Sequence, residues 1–196
     1  MIYRILYTIV RAALALWHPV FRVSGRENIP QSGNVLICPN HSGLADPIWV
    51  VFALRAKRCP RIMAKASVMK IPLLGALLNY LGIFGVRRGE NDMAAVKTAL
   101  KALRDGENLL LFPEGTRARP GKTVTPKSGA ILFSLRTQTP ILPIWLQPKR
   151  FPFGPLRCVI GEPYIPQASS EKPTANEMHT LAAELVDRIY ALEERK

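Results

Sequence analysis

Acidic residues are missing from two long tracts of this 196-residue chain. None occurs from Pro47 to Gly89 or from Gly115 to Gly161, and each tract holds eight Lys or Arg residues. The deficit leaves 27 basic against 14 acidic residues, a formal charge of +13. After Gly161 the balance reverses, with seven acids against four bases, so residues 1–161 carry +16. Such a field draws anions: phosphates, acidic lipids, nucleic acid or an acidic carrier protein. Cysteine is scarce too. Cys38, Cys59 and Cys158 are odd in number, far apart and never in C-x-x-C spacing. That argues against a disulfide framework or a zinc site and fits a reducing compartment. The basic residues are not interleaved with stacking aromatics, and no helix-turn-helix or zinc pattern appears, so nucleic acid is disfavoured. No internal repeat, low-complexity tract or second-domain boundary is visible.

A membrane-spanning run is also lacking. The N-terminus "MIYRILYTIVRAALALWHPV" is apolar, but Arg4 and Arg11 interrupt it. Its longest uncharged run falls short of the roughly 20 residues a span needs. Arg11 also breaks the apolar core of a signal peptide. Arg4, Arg11 and His18 recur every seven residues, with Thr8 on the same face. The expected structure is an amphipathic helix over residues 1–20 lying in the headgroup layer. The alternative is a helix packed on the domain's own core.

Beyond residue 20 the chain alternates between strand-like and helix-like patterns. Strands are expected near Phe21–Ser24, Val35–Cys38, in "RIMAK", at Ile83–Val86, and in "NLLLF", "ILPIWL" and "RCVIG". Helices are expected from Pro47 to Leu54, over Leu73–Tyr80, and over "NDMAAVKTALKALRDG" with Asn91 as cap. Two more should form in "KSGAILFSLRTQ" and in the C-terminal "TANEMHTLAAELVDRIYALEERK". The order implies an α/β fold: one domain, a largely parallel central sheet and flanking helices.

Three short stretches carry candidate chemistry. "CPNHSGLADPIW" holds His41 and Asp46 five positions apart. On an unbroken helix they would point about 140° apart. Ser42 and Gly43 let the chain turn, so Asp46 could hold one imidazole nitrogen and leave the other to take a proton. Alternatively Asp46 only caps the helix that Pro47 opens. In "LLLFPEGTRAR", Glu114, Gly115, Thr116 and Arg117 emerge at a strand's carboxyl end, where open α/β sheets bind ligands. Arg117 offers a planar fork suited to phosphate, or is simply solvated. In "GIFGVRRGE", Arg87 follows an apolar strand and precedes a helix, an anion-friendly place. Taken alone, it reads as a surface arginine. Ser42 beside His41 does not make a serine hydrolase, because adjacent residues rarely bond so and no G-x-S-x-G elbow exists. A metal site from His41, Asp46 and Glu114 would lack ligands of the usual kind.

Taken in order, "NHSGLADP", "GIFGVRR", "FPEGTR" and "TPILPIW" resemble the four successive blocks of the glycerolipid acyltransferases. The nearest branch is that of the 1-acyl-glycerol-3-phosphate acyltransferases, and the resemblance covers about residues 25–162. The pairing of H-x-x-x-x-D with F-P-E-G-T-R is its specific part. "KSGA", Lys127–Ala130, is also similar to a family segment. Gly85 and Val86 depart from the family's bulkier or acidic residues there. The resemblance implies that residues 21–196 form an acyltransferase domain behind the interfacial helix. It implies acyl transfer from a thioester to the sn-2 hydroxyl of 1-acyl-glycerol-3-phosphate, with His41 as general base and Asp46 as its orienter. Arg87 falls at a phosphate-binding arginine. Glu114, Gly115, Thr116 and Arg117 fall in the block that holds the glycerophosphate. Pro143 falls in a block linked to the acyl donor and to shaping the site. No bound cofactor is implied; acyl-coenzyme A or acyl carrier protein brings the acyl group as co-substrate. The expected partners are membrane lipids and an anionic bilayer surface, at the cytoplasmic face of the cell membrane. Another acceptor, such as glycerol-3-phosphate or a different lysolipid, stays open. So does a basic peripheral membrane protein without catalysis.

Overall fold

The computed structural model describes residues 2–56, 59–87, 92–117, 125–148, 153–170 and 172–194. Seven strands form one sheet: β1 (Phe21–Ser24), β2 (Leu36–Pro39), β3 (Arg61–Lys65), β4 (Ile83–Val86), β5 (Leu109–Leu110), β6 (Ile141–Leu146) and β7 (Leu156–Ile160). Their order across the sheet is β1-β7-β6-β2-β5-β3-β4. Every pairing is parallel except β6 with β7. The expected α/β class and largely parallel sheet are therefore present.

The sheet is buried on both faces, so its central strands read as continuous apolar runs. Side-chain alternation assigns each residue a face. Ile37, Leu110, Leu142, Ile144 and Leu146 pack under α1 (Ile2–Trp17), α2 (Asp46–Ala53) and α4 (Leu74–Tyr80). Leu36, Cys38, Leu109 and Ile141 pack on the other face under α5 (Met93–Arg104), α6 (Gly129–Thr137) and α7 (Ala175–Ala191). A short helix not foreseen in the sequence, α3 (Ala66–Met69), comes directly after β3. Gly75 opens α4 against it, because a Cβ there would lie 2.0 Å from the Met69 carbonyl oxygen.

Two expectations need correction. The cap of α5 is Asp92, whose side chain accepts from the Ala95 amide at 3.1 Å. Asn91, expected in that place, lies outside the described residues. The seven-residue stripe of α1 is also incomplete. Arg4, Thr8 and Arg11 are exposed, but His18 lies past the helix end and is buried. Its Nδ1 meets the Gly154 carbonyl oxygen at 2.9 Å and its ring meets Trp49 edge-on. The helix itself divides its apolar residues. Tyr7, Val10 and Leu14 pack on the core, and the Tyr3 hydroxyl donates to the Ala56 carbonyl. Ile5, Ile9, Leu16 and Trp17 stay exposed. No helix among the described residues is long and apolar enough to cross a membrane.

Candidate active site

Strands β2 and β5 are parallel neighbours whose chains leave the sheet toward opposite faces, β2 into α2 and β5 into α6. Loops that part in this way open a crevice at the strands' carboxyl ends. His41 follows β2, and Glu114 follows β5, so both emerge there. The loop after β2 is fastened from below. Asn40 is buried, its side-chain amide donates to the Leu146 carbonyl, and its oxygen accepts the Leu146 amide.

The His41 and Asp46 side chains meet, with Nδ1 and Oδ2 2.9 Å apart. The same carboxylate oxygen accepts the Ser42 and Gly43 amides, each at 2.7 Å. Asp46 is the first residue of α2, and Ala45 is the cap residue. The Asp46 carboxylate turns back toward His41. This is the meeting with His41 that a turn at Ser42 and Gly43 allows. Asp46 is fully buried and accepts from three neighbours, so the imidazole hydrogen belongs on Nδ1 and the basic lone pair on Nε2. The His41 ring stacks on Phe112, with 3.9 Å between centroids and 22° between planes.

Glu114 stands on the other side of His41 and is 3% exposed. Its Oε1 accepts the His41 amide at 3.3 Å and the Tyr190 hydroxyl at 3.0 Å. Its Oε2 has no partner among the described residues. Burial pushes its carboxyl above the usual glutamate range, against the opposing pull of the His41 and Tyr190 hydrogen bonds. Gly115 sits next at φ +68°, where a side chain would be strained and would press the Lys127 side chain. Thr116 and Arg117 are exposed. Arg87 directly follows β4, two strands from β5 at the same carboxyl end of the sheet. It is bound to Asp92 through its amide, 3.0 Å, and its Nε, 3.7 Å. Pro143 is buried within β6, opposite Cys38 and beside Gly161.

The structure therefore joins His41, Asp46 and Glu114 in one hydrogen-bonded group. Arg87 and Arg117 stand at the same carboxyl end of the sheet, and Pro143 lies inside the sheet. Sequence reasoning missed Phe112 and Tyr190. The first precedes Pro113 in the block already singled out. The second sits 76 residues downstream of Glu114 on a helix that reads as plainly amphipathic.

A family model described as Acyltransferase matches residues 20–147. A 1-acyl-sn-glycerol-3-phosphate acyltransferase of Borreliella burgdorferi is 37% identical over 150 residues, 73% of this chain and 59% of that protein. The chain thus spans less than two thirds of that relative's length. A Bacillus subtilis protein of the same description is 27% identical over 179 residues, 89% of this chain and 88% of that one. Among solved structures, the 1-acyl-sn-glycerophosphate acyltransferase PlsC of Thermotoga maritima has the same fold. It superposes with a TM-score of 0.69 at 28% identity, over 95% of this chain and 77% of that one.

Proposed function

The chain belongs to the acyltransferase family, and on that premise we propose that it moves a fatty acyl group from a thioester to the sn-2 hydroxyl of 1-acyl-glycerol-3-phosphate, giving phosphatidic acid. The observation that carries this reading is the His41–Asp46 pair, held at 2.9 Å on the open edge of the sheet. Acyl transfer between a thioester and an alcohol requires no nucleophile from the protein, because the acceptor hydroxyl is the nucleophile. It requires a base, a holder for the base and a clamp for the acceptor. His41 Nε2 takes the hydroxyl proton as the alkoxide oxygen attacks the thioester carbonyl. The carbon–sulfur bond then breaks, and the thiol leaves with the proton His41 returns. Base catalysis of this kind contributes about 10²–10⁴-fold, and positioning supplies much of the remainder.

Arg117 and Arg87 are assigned the acceptor phosphate, Arg87 while keeping its contact with Asp92. Gly115 and Thr116 form the turn that presents Arg117, and Glu114 braces His41 through its amide. Pro143 acts from within β6, where it shapes the floor beneath the site.

The acceptor's tail and the basic charge favour an anionic membrane surface as the partner. Leu44, three residues after His41, is 80% exposed, and Leu73 on α4's approach is 88% exposed. Ile71, Leu74, Leu77 and Tyr80 are exposed nearby in sequence, and Lys65 and Lys70 precede them. The helices α1 and α4, which carry several of these residues, pack on one face of the sheet. An apolar surface with a cationic rim suits lipid headgroups and tails together. An acceptor panel with one labelled long-chain thioester tests the assignment. The label should enter 1-acyl-glycerol-3-phosphate at least about tenfold faster than glycerol-3-phosphate or a lysolipid without a phosphomonoester, the low end for a charge-assisted clamp. Equal transfer to all acceptors would remove the phosphate clamp from the proposal.

A further inference from the structure

We propose that Tyr190, one residue from the end of α7, is a positioning residue of the site: its hydroxyl fixes the Glu114 side chain behind His41 and keeps it as a hydrogen-bond acceptor. The inference rests on the acyl-transfer reading. Tyr190 lies on the C-terminal helix, beyond the 20–147 segment that the family model matches. Its ring packs with Trp145, Val159 and Leu192, which holds it independently of the hydroxyl. The hydroxyl reaches Glu114 Oε1 at 3.0 Å, and the His41 amide reaches the same oxygen at 3.3 Å.

Without Tyr190, that longer bond alone would hold the buried carboxyl among the described residues. The backbone of the proposed base would then share in any swing of Glu114. Among the described residues, His41, Asp46 and Tyr190 are the titratable groups that act on Glu114. The Lys127 side chain lies beside Gly115, and Glu193 acts on Tyr190. Burial favours the protonated carboxyl, while the donated hydroxyl hydrogen favours the carboxylate. Losing the hydroxyl therefore moves the Glu114 titration further up.

The test is Tyr190→Phe in the full chain, which keeps the ring and its packing. Two readouts are compared with the unaltered protein. One is the titration of Glu114, monitored by NMR of ¹³C-labelled glutamate carboxyls and assigned with Glu114→Gln. The other is the pH profile of kcat/KM. The expected result is a Glu114 titration raised in the variant, an acid limb that moves up with it, and a loss of about 2- to 10-fold on the acid side, the scale of one hydrogen bond. At high pH the loss should shrink, and the melting temperature should change little. An unmoved Glu114 titration overturns the proposal, and so does a raised titration with an unmoved acid limb. If the unaltered protein transfers no acyl group at all, the acyl-transfer reading falls, and the titration by itself then decides whether Tyr190 holds Glu114.

Discussion

At the scale of single residues, His41 carries the heaviest burden. Its Nδ1 is committed to Asp46, so only Nε2 can take a proton. His41→Ala should lower turnover by about 10²–10⁴-fold without loss of the folded spectrum. Asp46→Asn should cost less in turnover, since the ring remains. It should also cost stability, because two amides and the ring share that buried oxygen. Glu114 gives a prediction with a sign. Burial raises its folded-state titration above the unfolded one. The stability linked to that shift is present below the unfolded value and lost as pH rises through the folded value. Above it, the buried charge is a cost that Glu114→Gln removes. The variant should therefore melt at or above the parent at pH 8, with the difference shrinking as the pH falls, while activity drops. A variant that melts well below the parent at pH 8 would contradict the direction of the shift. Arg117→Ala and Arg87→Ala should raise the KM for the lysolipid by roughly 10- to 150-fold, the scale of charge-assisted bonds, and that for the thioester far less. How much of the site was legible in the sequence depends on chain distance. His41 and Asp46 are close in sequence, and a Ser-Gly turn between them announced the meeting. Which of two roles Asp46 plays depended on a side-chain direction that spacing cannot give. Tyr190 is joined to Glu114 only by the packing of α7, and no local pattern marks it.

At the scale of elements, the sheet strands were the most legible, because burial on both faces leaves apolar runs bounded by Gly, Pro and Asn. The β5 strand pairs over only Leu109–Leu110, although "NLLLF" promised more. The chain must turn at Phe112 and Pro113 to form the site. The short α3 was hidden because four residues carry no helical periodicity. The first helix packs one side on the core and leaves an apolar side exposed. Tyr7 meets Phe52 edge-on at 4.8 Å, while Ile5, Ile9 and Leu16 face outward. Deleting the helix would therefore disturb the core as well as any lipid contact. The cleaner variant is Ile5→Glu, Ile9→Glu and Leu16→Glu together. It should leave the melting temperature nearly unchanged, because these side chains are exposed. It should release the protein from anionic vesicles and lower transfer to a long-chain acceptor, while a short-chain soluble acceptor is still used. Vesicle sedimentation and the two assays check this. Unaltered vesicle binding would remove α1 from the membrane contact.

At the scale of the whole molecule, the uneven charge and the sheet's open edge act together. The excess of +16 lies in residues 1–161, the part of the chain that also supplies all seven strands of the sheet. Raising salt should weaken vesicle binding by screening that field, with most of the change between about 0.05 and 0.5 M, where the Debye length falls to a few ångströms. The composition points to anions in general and does not distinguish a lipid headgroup from any other anion. That choice came from the order of four short blocks and from the pair they bring together. The most direct measurement is thiol release from a long-chain acyl thioester, with and without 1-acyl-glycerol-3-phosphate, for the unaltered protein and for His41→Ala. The expected result is release by the unaltered protein that depends on the lysolipid, matched by phosphatidic acid formed, and its near-complete loss in His41→Ala. Release without any lysolipid, or turnover that survives the loss of His41, would contradict acyl transfer by a His41 base.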